Sequence, residues 1–382
     1  MQENPGAQGP YGDRPDQPRP PYGDRPDQPR PPHGDRPEHP QGGPQQPHGD
    51  QPAYPPAGPQ YPYGGPAPWP HGPYAPPPAR PSWYLPTPGG ARYDHLARTT
   101  ASQPWRAIAG TALVGAAFFV VSFVVLTVGV VVAAILGIPA PLEADRLFGD
   151  PVFGLVVLLL SIAAVLPIVF GTAALVQRRR PGTLSSVEGR LRWGWLACCL
   201  GVAVVALVLG QAAQVLTFMA TGGEYGDVFG WAGWQAFLPA LVVIVLLVPF
   251  QAATEEYLFR GWLIQAAGVH LRDPVWAVVG GAVLFTLLHG YTGAGSVDVF
   301  VFGVVVGWLT VRTGGLEAAI GLHVVNNVVA FGLSAAAGQL EKSLQQGAVP
   351  WQALAGTVVQ LGVYTFGVLY LAKKRSIRTV SQ

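Results

Sequence analysis

Three short polar constellations interrupt otherwise apolar stretches of this chain. Glu255 and Glu256 are followed by Arg260, His289 closes Phe285-Thr-Leu-Leu-His289, and His323-Val-Val-Asn-Asn327 brings an imidazole and an amide together. Residues four apart share a helix face, so Glu256 and Arg260 are expected to pair along one helix, with the acid on the favoured N-terminal side. Glu255 then lies about 100° around that helix, without an obvious local counter-charge. Such a carboxylate in an apolar surround suits general-base work; the competing reading is a charge cluster that only ties helices together. His323 and Asn327 also share a face and can aim two donors at one point, as an oxyanion requires, or bridge helices as polar glue. Asn326 points elsewhere and is expected to make an interhelical hydrogen bond. His289 taken alone is a weak signal, since a lone membrane histidine is often a hydrogen-bonded packing residue.

Together, a free carboxylate, two histidines and an amide on three helices form an inventory for water activation and acyl transfer. The membrane half has no Gly-x-Ser-x-Gly elbow, and Cys198 and Cys199 lie in a stretch otherwise empty of chemistry, so covalent catalysis is not expected. Glu255, His289 and His323 are also candidates to hold a divalent metal such as zinc, with a metal-bound water as nucleophile. The HExxH helix of common zinc proteases is absent, and the preferred reading needs no cofactor.

The elements that carry these residues are membrane helices. Charged residues make up 12% of the 382 and apolar ones 49%. From Trp105 onward the apolar runs are long: about 107–138, 152–176, 193–219, 236–264, 274–292, 296–312, 315–335 and 351–372, each near the roughly 20 residues that a spanning helix needs. Backbone groups in hydrocarbon must pair internally, so the fold class is all-α, a polytopic bundle of about eight transmembrane helices over 105–378. A charge at that depth is costly and usually functional or paired. The first three helices hold little beyond Ser, Thr and Gln and read as wall. Asp298 and Glu317 fall in first turns, where an acid suits the helix dipole and can reach water. Pro249 is expected to loosen the helix just before the acids. His289 lies farther along its span than His323 does along its own, so convergence requires tilted or re-entrant segments.

Arginines set the orientation. Arg92, Arg98 and Arg106 precede the first span, and Arg178, Arg179, Arg180, Arg190 and Arg192 follow the second. Arg272 follows the fourth, Arg312 the sixth, and Lys373, Lys374, Arg375 and Arg378 the eighth. Alternate loops carry Glu143, Asp145, Glu224 and Asp227, with only Arg146 and Lys342 on the basic side. A multi-pass protein of the cell membrane with both termini cytoplasmic accommodates nearly all of this.

Residues 1–104 read differently. Thirty of 39 prolines fall there, and the unit Tyr11-Gly-Asp-Arg-Pro-Asp-Gln-Pro-Arg-Pro-Pro recurs from Tyr22 and, decayed, from His33. An eleven-residue repeat cannot bury a core, so a disordered cytoplasmic Pro-rich tail is expected, a spacer more than a docking arm, although a reader of Pro-rich motifs remains a possible docking partner. Its five histidines receive no role. The chain starts without an apolar stretch, so no cleavable signal peptide is expected. A net charge of +2, without a basic stripe, excludes nucleic acid as the main partner, and two adjacent cysteines exclude a disulfide framework.

Glu255-Glu256-x-x-x-Arg260, Phe285-x-x-x-His289 and His323-x-x-x-Asn327, in that order on successive segments, resemble the CPBP family of intramembrane proteases, which groups type II CAAX prenyl endopeptidases with bacteriocin-processing and Abi-type proteins. The resemblance covers about 230–335. It implies hydrolysis of a peptide bond in a membrane-anchored protein or peptide beside the lipid bilayer. It makes Glu255 the general base, with His289 positioning the attacking water. His323 and Asn327 would stabilise the oxyanion, and Glu256 with Arg260 would orient the site. Whether such enzymes rely on glutamate or on metal stays open at this point. The alternative is a non-enzymatic membrane protein, an immunity or scaffold factor or a small-solute carrier, in which the polar cluster is structural or a proton relay. Carriers commonly show inverted repeats, and no matching polar half occurs here.

Overall fold

A computed structural model describes residues 82–100, 103–141, 148–222, 230–344 and 348–382. The Pro-rich repeats, and the loop charges Glu143, Asp145, Arg146, Glu224 and Asp227, lie outside the described residues. The described part is a bundle of α-helices belonging to one unit, Pro77–Gln382. In chain order these are α1 (Pro104–Leu136), α2 (Pro151–Ala163), α3 (Leu166–Leu175), α4 (Trp193–Ala220), α5 (Trp234–Glu256), a π-helical segment (Tyr257–Leu263), α6 (Ile264–Gly268), α7 (Pro274–His289), α8 (Ala294–Thr313), α9 (Glu317–Ala336), α10 (Leu340–Leu344) and α11 (Ala353–Lys374). Two-residue strands, Thr292–Gly293 (β1) and Ala348–Val349 (β2), pair in parallel.

The protein is a multi-pass membrane protein. Among the described residues, seven segments are long and apolar enough to cross a bilayer, with α2 and α3 together forming one and α5 through α6 another. Valine, leucine and phenylalanine cover their outward faces, as hydrocarbon requires. The remaining expected span is shorter than read from the sequence: α7 has 16 residues, about 24 Å at 1.5 Å per residue, against a hydrocarbon thickness of about 30 Å. Local chemistry fixes its ends. The Asp273 carboxylate accepts from the Val275 amide at 2.9 Å and Pro274 opens the first turn. Gly290, at φ 66°, then stops the helix in the left-handed region straight after His289.

Helix α9 packs between α5 and α4, α11 lies against α4 and α8, and α7 lies against α8. Where α4 crosses α11 the backbones nearly touch. A Cβ built on Gly210 would stand 2.9 Å from the Gly356 carbonyl oxygen, so the crossing depends on small residues.

One end of the bundle is knitted by polar contacts. Arg98 donates to the carbonyls of Gly268 (2.8 Å) and Leu271 (2.7 Å), and Arg92 to that of Arg272 (3.1 Å). Arg92 also bridges Val380, and Ser186 bridges Gly315. The segment before α1 thus belongs to the bundle's core: Tyr93 and Leu96 are buried, and the Tyr93 hydroxyl donates to the Leu184 carbonyl. His95, given no role from the sequence, stands 3.1 Å from the buried Asp94 carboxylate.

Two further expectations are corrected at this end. Glu317 does not reach water; it is fully buried, and its carboxylate takes Arg192 Nη2 at 2.7 Å, Nε at 2.9 Å and the Arg192 amide at 2.8 Å. The dipole at the start of α9 does favour an acid, but the deciding partner is an arginine brought in by the loop before α4. Arg179, read as a loop charge, is buried against Gln177, Thr183 and Gln265. Burial lowers its pKa to about 10.

Candidate active site

The second half of α5 lays Gln251 and Glu255 on one face, one turn apart. Gln251 Nε2 donates to Glu255 Oε1 at 2.8 Å, which fixes the carboxylate and leaves Oε2 for other groups. Helix α5 runs through Pro239 and Pro249 without a break, and the departure from α geometry comes after the acids, at the π segment. The loosening expected at Pro249 is therefore displaced by two turns. A π turn inserts an extra residue and re-aims the side chains beyond it; here it carries Arg260 into the bundle.

Glu256 and Arg260 pair as their spacing predicts, Nη1 to Oε1 at 3.0 Å, both fully or nearly fully buried. The same Oε1 accepts from His323 Nδ1 at 2.6 Å, which links α5 to α9 and turns His323 Nε2 toward Glu255 Oε2, 3.5 Å away. The Arg260 guanidinium also lies over the Phe285 ring, 4.1 Å from its centroid, a cation–π contact that offsets part of the cost of burying the charge. Gly303 makes room for it: a Cβ there would come within 3.3 Å of Arg260 Nη2.

His289 is the last residue of α7. Its Nδ1–H donates to the Phe285 carbonyl at 2.7 Å, and its ring lies 4.1 Å from that of Phe285. Its Nε2 faces Glu255 Oε2 at 4.0 Å. His289 closes α7, fifteen residues from its start, and still meets His323, six residues from the start of α9, across Glu255. Asn327 Nδ2 donates to Gln251 Oε1 at 3.1 Å, so the amide is tied to the Glu255 face in place of standing free beside His323. Asn326 receives Gln360 Nε2 at 2.6 Å, the interhelical bond expected for it.

Glu255, Glu256, Arg260, His289, His323 and Asn327 thus form one contiguous cluster. Glu255 Oε2 is buried and makes no hydrogen bond among the described residues, while both imidazole Nε2 atoms point at it. Among the described residues, no group of three His, Cys, Asp or Glu side chains is placed to hold a metal ion. Gln251 was missed by sequence reasoning, although a glutamine one turn before Glu255 in an apolar run was a usable signal.

Beside this cluster a cavity of about 320 Å³ is lined by His289, His323 and Asn327 on one side. Its other walls include Gln211 and Gln214 of α4, Asp298 of α8 and Gln360 of α11. The third spanning helix is therefore more than wall.

Residues 234–329, from the start of α5 to just beyond Asn327, match the family described as type II CAAX prenyl endopeptidase Rce1-like. This stretch is similar to an Rce1-like domain. It contains all six clustered residues and Gln251. The chain is also 26% identical over 196 residues to the uncharacterized protein YyaK of Bacillus subtilis (strain 168), a match covering 48% of this chain and 62% of that protein. No solved structure matches.

Proposed function

We propose that this chain is an intramembrane endopeptidase that hydrolyses a peptide bond of a membrane-anchored protein or peptide with a water activated by Glu255. The observation that carries this reading is the meeting of Glu255 Oε2 with the Nε2 atoms of His289 and His323, at 4.0 and 3.5 Å. With its Nδ1–H given to the Phe285 carbonyl, His289 presents Nε2 as an acceptor. A water between it and Glu255 then donates one proton to each, a separation suited to bridging. Glu255 removes the proton as the water attacks the scissile carbonyl and later returns it to the leaving amine. His323 stabilises the oxyanion through Nε2–H, with its Nδ1 held against Glu256. Asn327 contributes its amide once substrate displaces the bond to Gln251. Arg260 holds Glu256 in place.

This mechanism requires no metal. The protein purified after chelation should carry none and still cleave membrane peptides; one zinc per chain, lost together with turnover, would reverse the reading. Both termini are assigned to the cytoplasm, because the arginine-rich segments before α1, between α3 and α4, after α6, after α8 and after α11 meet at one end of the bundle. A reporter fused after Gln382 should be cytoplasmic, and an extracytoplasmic one would overturn the assignment.

A further inference from the structure

Among the described residues, the cavity beside the cluster is lined by one acid and no lysine or arginine. That acid is Asp298, in the second turn of α8. Thr357 of α11 donates to its Oδ1 at 2.5 Å, and Oδ2 makes no hydrogen bond among the described residues. Burial within the bundle is partial, since the carboxylate borders the cavity. Gln211, Gln214 and Gln360 line the same space. The Gln360 Nε2–H is spent on Asn326, which leaves its carbonyl oxygen as an acceptor. A lone carboxylate at membrane depth is stabilised chiefly by a cation, and charge attraction there is stronger than in water. The amide oxygens supply further acceptors for an ammonium or a guanidinium.

We infer that the Asp298 wall of this cavity is a recognition subsite for a basic side chain, lysine or arginine, of the substrate. The inference rests on the protease reading for its role in turnover, since it places that side chain in the space bordered by His289, His323 and Asn327. The subsite also explains an acid that the catalytic cluster does not use.

The test is binding, read apart from cleavage. Full-length Glu255→Gln protein in lipid nanodiscs is titrated with a set of fluorescent, acetylated and amidated alanine-based octapeptides carrying one lysine at successive positions, each paired with its norleucine counterpart. At one position the lysine peptide should bind at least tenfold more tightly. Adding Asp298→Asn should bring the ratio to about one, and Asp298→Glu should restore most of it. Equal binding of lysine and norleucine at every position, or a preference that survives Asp298→Asn, would overturn the inference. If the preference depends on Asp298 but wild-type protein cuts none of the peptides or its membrane proteome, the subsite stands and the protease reading falls.

Discussion

Gln251 illustrates what a single side chain contributes to this site. Its amide nitrogen holds Glu255 at 2.8 Å and its carbonyl holds Asn327 at 3.1 Å, so one residue positions the proposed base on α5 and the proposed donor on α9. Gln251→Leu keeps the volume roughly and removes both bonds. A hydrogen bond to a charged group contributes about 1.5–3 kcal/mol, so kcat should fall on the order of tenfold or more while KM stays nearly constant. A rise in KM with kcat intact would make Gln251 a binding residue instead. The six motif residues were legible because charge, imidazole and amide are rare in apolar runs and their i,i+4 spacing is plain in the sequence. What spacing did not reveal was the cross-helix pairing: His323 uses Glu256 as its partner, a contact between residues 67 positions apart.

At the scale of elements, each motif helix is placed by a different device. Helix α7 is placed by its length, set by Asp273-Pro274 and Gly290; α5 by the π segment after the acids; and α9 by the buried Arg192–Glu317 pair six residues before His323. Removing one partner of a buried pair costs about 3–5 kcal/mol because the other charge is left uncompensated. Glu317→Ala should therefore lower thermal stability by about that amount and reduce turnover, although Glu317 lies outside the candidate site. Replacing Arg192 in the same protein should recover part of the loss; a Glu317→Ala protein as stable as the parent would show that α9 is held by apolar packing alone. The helices themselves, and their order along the chain, were legible from hydrophobic length. The shortness of α7 was not, because Tyr291 and Thr292 prolong the apolar run past the glycine that ends the helix. Nor was the burial of Glu317, because a first-turn acid looks the same whether it faces water or an arginine supplied 125 residues earlier.

For the whole molecule, the sequence divides into a Pro-rich part and a charge-poor bundle, and the join lies earlier than composition alone suggests. Tyr93 and Leu96 belong to the core that also holds Tyr257 and Phe259, so the end of the chain before α1 helps to support the π segment. Apolar residues return at Trp83, Tyr84 and Leu85, a signal that the prolines around them conceal. The bundle brings five basic segments to one end and gathers Glu255, Glu256, His289 and His323 in its interior, beside a cavity whose described lining holds a single carboxylate. The chemistry proposed for this arrangement is peptide-bond cleavage through Glu255. The most direct measurement compares new C-termini in the membrane proteome of cells carrying wild-type protein with those of cells carrying Glu255→Gln at equal abundance and equal melting temperature. A defined set of termini should be present with wild type and reduced at least about a hundredfold in the variant, the scale of a lost general base. Identical termini in both, with both proteins folded, would contradict it.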